Sequence, residues 1–320
     1  MNFRIAVLIH VHCLLSVLAC SSGVSGARVD TDSDGGVAVD VSRAADVKDS
    51  GIVTVDAVSE ALDAGPRVEL DWVRIEGGQF LMGPDPMDDD DYWDPAFEVT
   101  VPTFDLMRTE VTVSAFAMCV DSGACDPPIA DEPRFCTFSQ ADSGGLPVDC
   151  VGWHDAQDFA RWVGGGTRLP TDSEWEYAAR GRGKDWKYSW GDEEATCDRA
   201  IMRDADDRYG CGRNGPWPPC SRPAGNTPEG LCDMMGNVYE LVEDYFHPNT
   251  TACVPIDGSP CLEPAEYSMR VLRSALWAVG PELLEARNRT WTGEWQVGFS
   301  GVGFRLARPV APRSWRRQPD

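Results

Sequence analysis

Arg168-Leu169-Pro170-Thr171-Asp172-Ser173-Glu174-Trp175-Glu176-Tyr177-Ala178-Ala179-Arg180-Gly181 is the most sharply punctuated stretch of the chain. Thr171 and Glu174 stand in the T-x-x-E spacing of a capping box. Hydroxyl and carboxylate there each satisfy a backbone N–H that the first helical turn leaves open. Gly181, following Ala178-Ala179-Arg180, marks the stop. Two more short helices are predicted upstream. One covers Thr112 to Val120, with Ala115, Phe116, Cys119 and Val120 on one apolar stripe. The other covers Asp155 to Val163 and buries Ala156, Phe159, Ala160 and Val163. Before them, Trp72-Val73-Arg74-Ile75 alternates like a strand, Gly77-Gly78 reads as a turn, and Gln79-Phe80-Leu81-Met82 resumes extended structure. Short helices separated by long loops that carry cysteine and proline predict a compact, loop-rich α+β domain with small antiparallel sheets. No internal repeat is visible.

The bulk numbers agree with that class. The chain has 320 residues, 42% of them hydrophobic, with Gly 31, Pro 23 and Trp 12. This suits irregular backbone pinned by aromatic side chains better than a helical bundle. A formal net charge of -24 repels nucleic acid and anionic membrane surfaces, so a nucleic-acid partner is excluded.

Residues 1–20 read as an export signal. Arg4 is followed by an apolar run from Ile5 to Leu18, interrupted by His10 and His12, too short and broken to span a bilayer. It ends in Val17-Leu18-Ala19-Cys20-Ser21, which resembles a bacterial lipobox with Cys20 as the lipid-modified residue; a plain secretory signal is the alternative. The expected location is therefore a bacterial outer-membrane lipoprotein, otherwise periplasmic or secreted, touching membrane only through a lipid. Residues 21–66 lack aromatics and read as a flexible acidic tether, because such a segment cannot offset the entropy of ordering. Residues 67–309 form the expected domain. Residues 310–320, with Arg313 to Arg317, read as a disordered basic tail. The run Asp88-Asp89-Asp90-Asp91 lacks the alternating spacing of a preformed calcium loop and reads as a solvated surface.

Beyond Cys13 and Cys20 lie Cys119, Cys125, Cys136, Cys150, Cys197, Cys211, Cys220, Cys232, Cys253 and Cys261. An even number of cysteines in an exported chain predicts disulfides. Cys119/Cys125, Cys136/Cys150 and Cys253/Cys261 look like local pairs. The other four make two more bridges whose connectivity stays open. Zinc or non-haem iron is poorly supported, since no CxxC occurs and only His154 and His247 follow the signal. His154 is weighed as a general base and read as a capping or surface residue. Trp153, Trp162, Trp175, Trp186 and Trp190 would line a groove or fill the core, and most are expected in the core. Asn249-Thr250-Thr251 and Asn288-Arg289-Thr290 match glycosylation sequons, without consequence behind a bacterial lipobox.

The order of short segments carries a resemblance. Gly77-Gly78-Gln79-Phe80-Leu81-Met82-Gly83, Glu110-Val111-Thr112, Pro147-Val148 with Trp153, the stretch 168–181, Trp190-Gly191-Asp192, Gly230-Leu231-Cys232-Asp233-Met234-Met235-Gly236-Asn237-Val238-Tyr239-Glu240 and Gly303-Phe304-Arg305 together resemble the formylglycine-generating enzyme, or sulfatase-modifying factor, family. The resemblance runs from about Leu70 to Arg308. It implies a fold related to C-type lectins. In active members it implies oxidation of a sulfatase cysteine to formylglycine with oxygen and a copper ion on two cysteines, because soft copper(I) takes thiolates. The family segment R-V-x-R-G-G-S-W is matched by Arg270-Val271-Leu272-Arg273-Ser274-Ala275-Leu276-Trp277. Counting on from Trp277 puts the two copper-ligand positions on Val279 and Leu284, and Leu276 holds the place of the active-site serine. No copper is expected.

The resemblance also implies a structural calcium on Asp233, Gly236, Val238 and Glu240, two carboxylates and two carbonyls. The alternative is a tight hydrogen-bonded turn. A second family calcium site is weakened by Ala200. Two functions follow as expectations. One is a non-catalytic cell-envelope binding or scaffolding module for a protein or glycan ligand. The other is an enzyme of altered, non-copper chemistry, which would need perturbed acids near Arg273, Glu282 or Arg287.

Overall fold

The computed structural model describes residues 68–83, 96–129, 133–294 and 298–310. The expected signal with Cys20, the tether, the Asp88–Asp91 run and the basic tail lie outside the described residues. Nine short strands and three α-helices are present among those described. Strands β1 (Trp72–Ile75), β4 (Phe104–Met107) and β9 (Ala307–Pro309) form a three-stranded antiparallel sheet in the order β1-β4-β9. Strands β2 (Gly78–Met82) and β3 (Phe97–Val101) pair separately. The largest sheet has the order β7-β6-β5-β8, from β5 (Tyr239–Tyr245), β6 (Met269–Arg273), β7 (Thr290–Gly293) and β8 (Val302–Phe304). Its β5–β8 pair is parallel, so the expectation of antiparallel sheets holds for every other pair. The loop-rich α+β reading stands.

Gly77 and Gly78 do not fold β1 back on β2. They carry the chain from one sheet into another. Tight packing explains their identity: a Cβ on Gly77 would lie 2.4 Å from the Val101 carbonyl oxygen, and one on Gly78 2.6 Å from the Tyr177 hydroxyl.

Helix α1 (Val113–Asp121) begins where the spacing predicts. The Thr112 side chain caps it by accepting from the Ala115 N–H at 3.3 Å, and Val113, Ala115, Phe116 and Cys119 are buried. Helix α2 (Trp153–Val163) starts two residues earlier than expected, because the Asp155 carboxylate reaches back to the Gly152 N–H at 2.8 Å and closes the first turn. Helix α3 (Asp172–Ala179) has its capping box as read. Glu174 N–H donates to Thr171 Oγ1 at 3.1 Å, and Thr171 N–H donates to the Glu174 carboxylate at 2.9 Å. All eight residues of α3 are buried, so this is a central helix and its charged side chains need internal partners.

Five disulfides join all ten cysteines from Cys119 to Cys261. The three local pairs form as predicted, and the open four resolve as Cys197–Cys211 and Cys220–Cys232.

Candidate functional site

The charged face of α3 shows what its motif does. Asp172 pairs with Arg273, and with Arg289 at 2.7 Å. Glu176 accepts from Arg273 at 2.9 Å and from Arg180 at 2.9 Å. Trp175 donates its indole N–H to Glu240 at 2.9 Å, and the Tyr177 hydroxyl donates to the Glu76 carbonyl at 3.0 Å. Burial alone would raise the Asp172 carboxyl; Arg273 and Arg289 outweigh it and hold it below its ordinary value. Asp244 accepts from the Asp172 and Cys261 N–H groups. Burial first, then the charge of Asp172, push its carboxyl up to about 8. Perturbed acids therefore do lie beside Arg273, but that guanidinium is wholly buried and engaged. Glu282 and Arg287 are peripheral, pairing with Arg203 and Asp185. This network is a framework.

The segment after β6 carries Val279 and Leu284, the positions that the resemblance assigns to copper ligands. Leu284 is 1% exposed in the main core, and Val279 packs against the same cluster. Val279 is held through its backbone, donating to the Leu276 carbonyl and accepting from the Arg203 N–H. Two aliphatic side chains offer no donor to a soft cation, and every cysteine among the described residues is oxidised in a disulfide. These residues do not fit copper.

The loop Asp233–Asn237 is tightly wound, with positive φ at Asp233, Gly236 and Asn237. A Cβ on Gly236 would sit 2.5 Å from the Ile201 carbonyl oxygen, so glycine is required there. Val238 is fully buried just before β5. Glu240 is not an open carboxylate: Arg305 Nε and Nη2 bind its two oxygens at 2.7 Å each, in addition to Trp175. Asp233 accepts from the Cys220 N–H at 2.6 Å. Glu110, which the sequence reading did not single out as a site residue, accepts from the Asn237 amide at 2.9 Å through one oxygen, and its other oxygen is buried with no donor. Burial raises Asp233 to about 6. Burial and then the neighbouring Asp233 raise Glu110 well above the carboxylate range. Three buried acids thus gather around the guanidinium of Arg305, with Arg222 adding a weaker positive charge at Asp233. That surplus of negative charge and the orphaned Glu110 oxygen fit a hard cation, with Asp233 and Glu110 the acids able to meet it while Glu240 holds Arg305.

The remaining expected residues scatter. His154 sits in the first turn of α2 against Trp153, and His247 bonds the Glu263 carbonyl at 2.7 Å. Among the described residues no cluster combines two histidines with a carboxylate. Ala200 is fully buried. Of the five tryptophans weighed for a groove, Trp175 alone is fully buried; Trp153, Trp162, Trp186 and Trp190 are half-buried. None of the five lines either large cleft. Those clefts use others. One, of about 620 Å³, lies by Phe246, Tyr267, Met269, Arg289 and Trp291. The other, of about 610 Å³, lies against Trp277 and Ala278, directly before the Val279 position, and is walled by Arg134, Phe135, Tyr209 and Arg213. Its walls come from distant parts of the chain, which is why periodicity did not reveal it.

Comparison with known proteins adds a frame. Residues 59–310 match the family model described as sulfatase-modifying factor enzyme 1-like domain. The chain is similar to the formylglycine-generating enzyme of Mycobacterium tuberculosis, 38% identical over 136 residues, 39% of this chain and 44% of that enzyme. It thus spans under half the length of that relative. It is also similar to the mouse protein named inactive C-alpha-formylglycine-generating enzyme 2, 30% identical over 279 residues, covering 73% of this chain and 84% of the mouse protein. Among solved structures, PvdO from Pseudomonas aeruginosa superposes with a TM-score of 0.61 at 26% identity, over 75% of this chain and 94% of PvdO.

Proposed function

This chain belongs to the sulfatase-modifying factor enzyme 1-like family, and from that premise we propose that it is a member without the copper-dependent oxidase, acting as an exported binding module on a bacterial cell envelope. The observation that carries the proposal is the pair Val279 and Leu284, built into the apolar core where the family places its thiolates. Similarity to a mouse relative named inactive is in keeping with it. Its binding surface would be the cleft of about 610 Å³ against Trp277 and Ala278, directly before the Val279 position. Anchoring through Cys20 and the tether of residues 21–66 would display the domain away from a lipid surface. A structural calcium ion would be held by Asp233, the Gly236 and Val238 carbonyls and the free oxygen of Glu110, neutralising charge between the loop and β5.

The test is copper(I) titration of the full chain against a competing chelator, with oxygen uptake measured in the presence of a cysteine-containing peptide. The expected result is no stoichiometric copper and no oxygen uptake. One tightly held copper per chain would overturn the reading.

A further inference from the structure

Among the described residues, the cleft against Trp277 is lined by formal charge of one sign. Two guanidinium groups, Arg134 and Arg213, line it, and among the described residues no carboxylate does. The chain as a whole stands at -24, so a concave surface whose charged lining among the described residues is cationic runs against the general balance. The rings of Phe135, Tyr209 and Trp277 line the same cleft, with Arg134 over the Phe135 ring. Tyr209 is 47% exposed and meets Trp277 edge-to-face, with ring centroids 6.4 Å apart. Arg213 lies over the Trp217 ring, which leaves its N–H groups available for a carboxylate or sulfonate. The indole N–H of Trp277 is a further donor that meets no acceptor among the described residues.

The wall that bears Tyr209 and Arg213 is built to hold its shape. Gly210, Cys211 and Gly212 run through consecutive positive φ values of 57°, 52° and 91°. The turn is tied down by the Cys197–Cys211 disulfide, by the Trp217 indole donating to the Gly210 carbonyl at 2.8 Å, and by the Gly210 N–H donating to the Trp277 carbonyl at 2.8 Å. A rigid wall lowers the ordering cost of binding.

We infer that this cleft binds a small organic anion with a flat apolar group, an aromatic carboxylate or sulfonate. The anion meets Arg213 and the ring system stacks among Phe135, Tyr209 and Trp277. The volume of about 610 Å³ suits one such molecule. The inference rests on reading the cleft as the ligand surface of this domain.

The probe is 8-anilinonaphthalene-1-sulfonate, titrated into the full chain by fluorescence beside its uncharged counterpart N-phenyl-1-naphthylamine. Arg213 is exposed, so Arg213→Ala and Arg213→Glu keep the fold, checked by unchanged thermal melts. One equivalent of sulfonate is expected to bind, with the uncharged amine and the Arg213→Ala chain each weaker by about tenfold, the loss of one charge-assisted contact. Arg213→Glu is weaker still. Trp291→Ala, in the other cleft, leaves binding unchanged. Equal affinity for both probes, insensitivity to Arg213, or loss of binding in Trp291→Ala overturns the anion site. Copper uptake together with Arg213-dependent sulfonate binding would sink the non-oxidase reading and leave this one standing.

Discussion

Replacing Arg305 by methionine is the sharpest perturbation this structure offers. The guanidinium is fully buried. It holds both oxygens of Glu240 at 2.7 Å, and its remaining N–H groups meet the carbonyls of Met107, Arg108 and Cys232 at 3.2, 3.1 and 2.9 Å. Methionine fills much of the volume but leaves Glu240 without its cation and three carbonyls without that donor. Removing one partner of a buried pair costs about 3–5 kcal/mol; Glu110 also loses the positive charge that lowers it, and Asp233 keeps only the weaker influence of Arg222. The expected loss in urea unfolding with disulfides intact is thus about 4 kcal/mol near neutral pH.

The loss has a signature in pH. Without Arg305 the native carboxyls hold their protons to higher pH than in the parent, so the variant's folded state binds more protons through that window. The stability gap must then widen as pH rises, by about 1.4 kcal/mol per pH unit for each carboxyl still protonated in the variant alone. Urea midpoints at pH 5 and pH 8 read this directly. Arg305→Lys, which keeps a charge but not the two-pronged geometry, should fall between. A variant within about 1 kcal/mol of the parent, or a gap that does not change with pH, would refute the claim that Arg305 balances these acids.

The parent chain has its own pH dependence. Asp244, raised to about 8, binds a proton in the folded state that the unfolded chain has lost, so stability falls as pH climbs from about 4 to 8, and Asp233, raised to about 6, adds to the fall over the lower part. Asp172, held below its ordinary value, acts oppositely only below about pH 4. Thermal melts should peak near pH 5 rather than pH 8, and a higher midpoint at pH 8 counts against the assignment. Added calcium should raise the melting midpoint, by about 2.7 kcal/mol of stability at a hundredfold excess over Kd, and a chelator should remove the gain; Asp233→Asn should show neither effect. Cys197→Ser with Cys211→Ser opens a loop closed over a separation of 14 residues, for a loss of about 3 kcal/mol in unfolding.

What the sequence discloses divides by range. Thr171 and Glu174 announced helix α3 because a capping box is satisfied within four residues, and α1 followed from the same kind of local rule. Cys119–Cys125, Cys136–Cys150 and Cys253–Cys261 were legible as neighbouring pairs, at separations of 6, 14 and 8. Cys197–Cys211 and Cys220–Cys232 were not, since four cysteines spread over irregular loops have no local rule to sort them. The same limit hid the donors of Glu240: one comes from α3 and the other from a segment 65 residues further on. With those partners invisible, Glu240 read as an open ligand. The five tryptophans weighed between groove and core went mostly to the core, as expected: Trp175 is within it and Trp153, Trp162 and Trp190 pack against it. Ring identity says nothing about which way a loop turns, and the cleft tryptophans are Trp277, just past a positive-φ Ser274, and Trp291, facing outward from β7.

The motif that decided the resemblance also explains why resemblance alone says little about chemistry. In the stretch 168–181, Arg168 binds Glu174 through two nitrogens at 2.6 and 2.7 Å, and Asp172, Trp175, Glu176, Tyr177 and Arg180 all point to partners inside the protein. Removing any of them strands a buried polar group, so each is held in place by stability. Val279 and Leu284 stand under a different constraint. They are an aliphatic pair packed on the main core with no polar group to satisfy, so packing alone accounts for them. A family match built on framework residues therefore reports the framework. What the domain binds has to be sought outside that framework, in the cleft against Trp277 and Ala278, where Arg213 and Trp277 carry groups that the framework does not use.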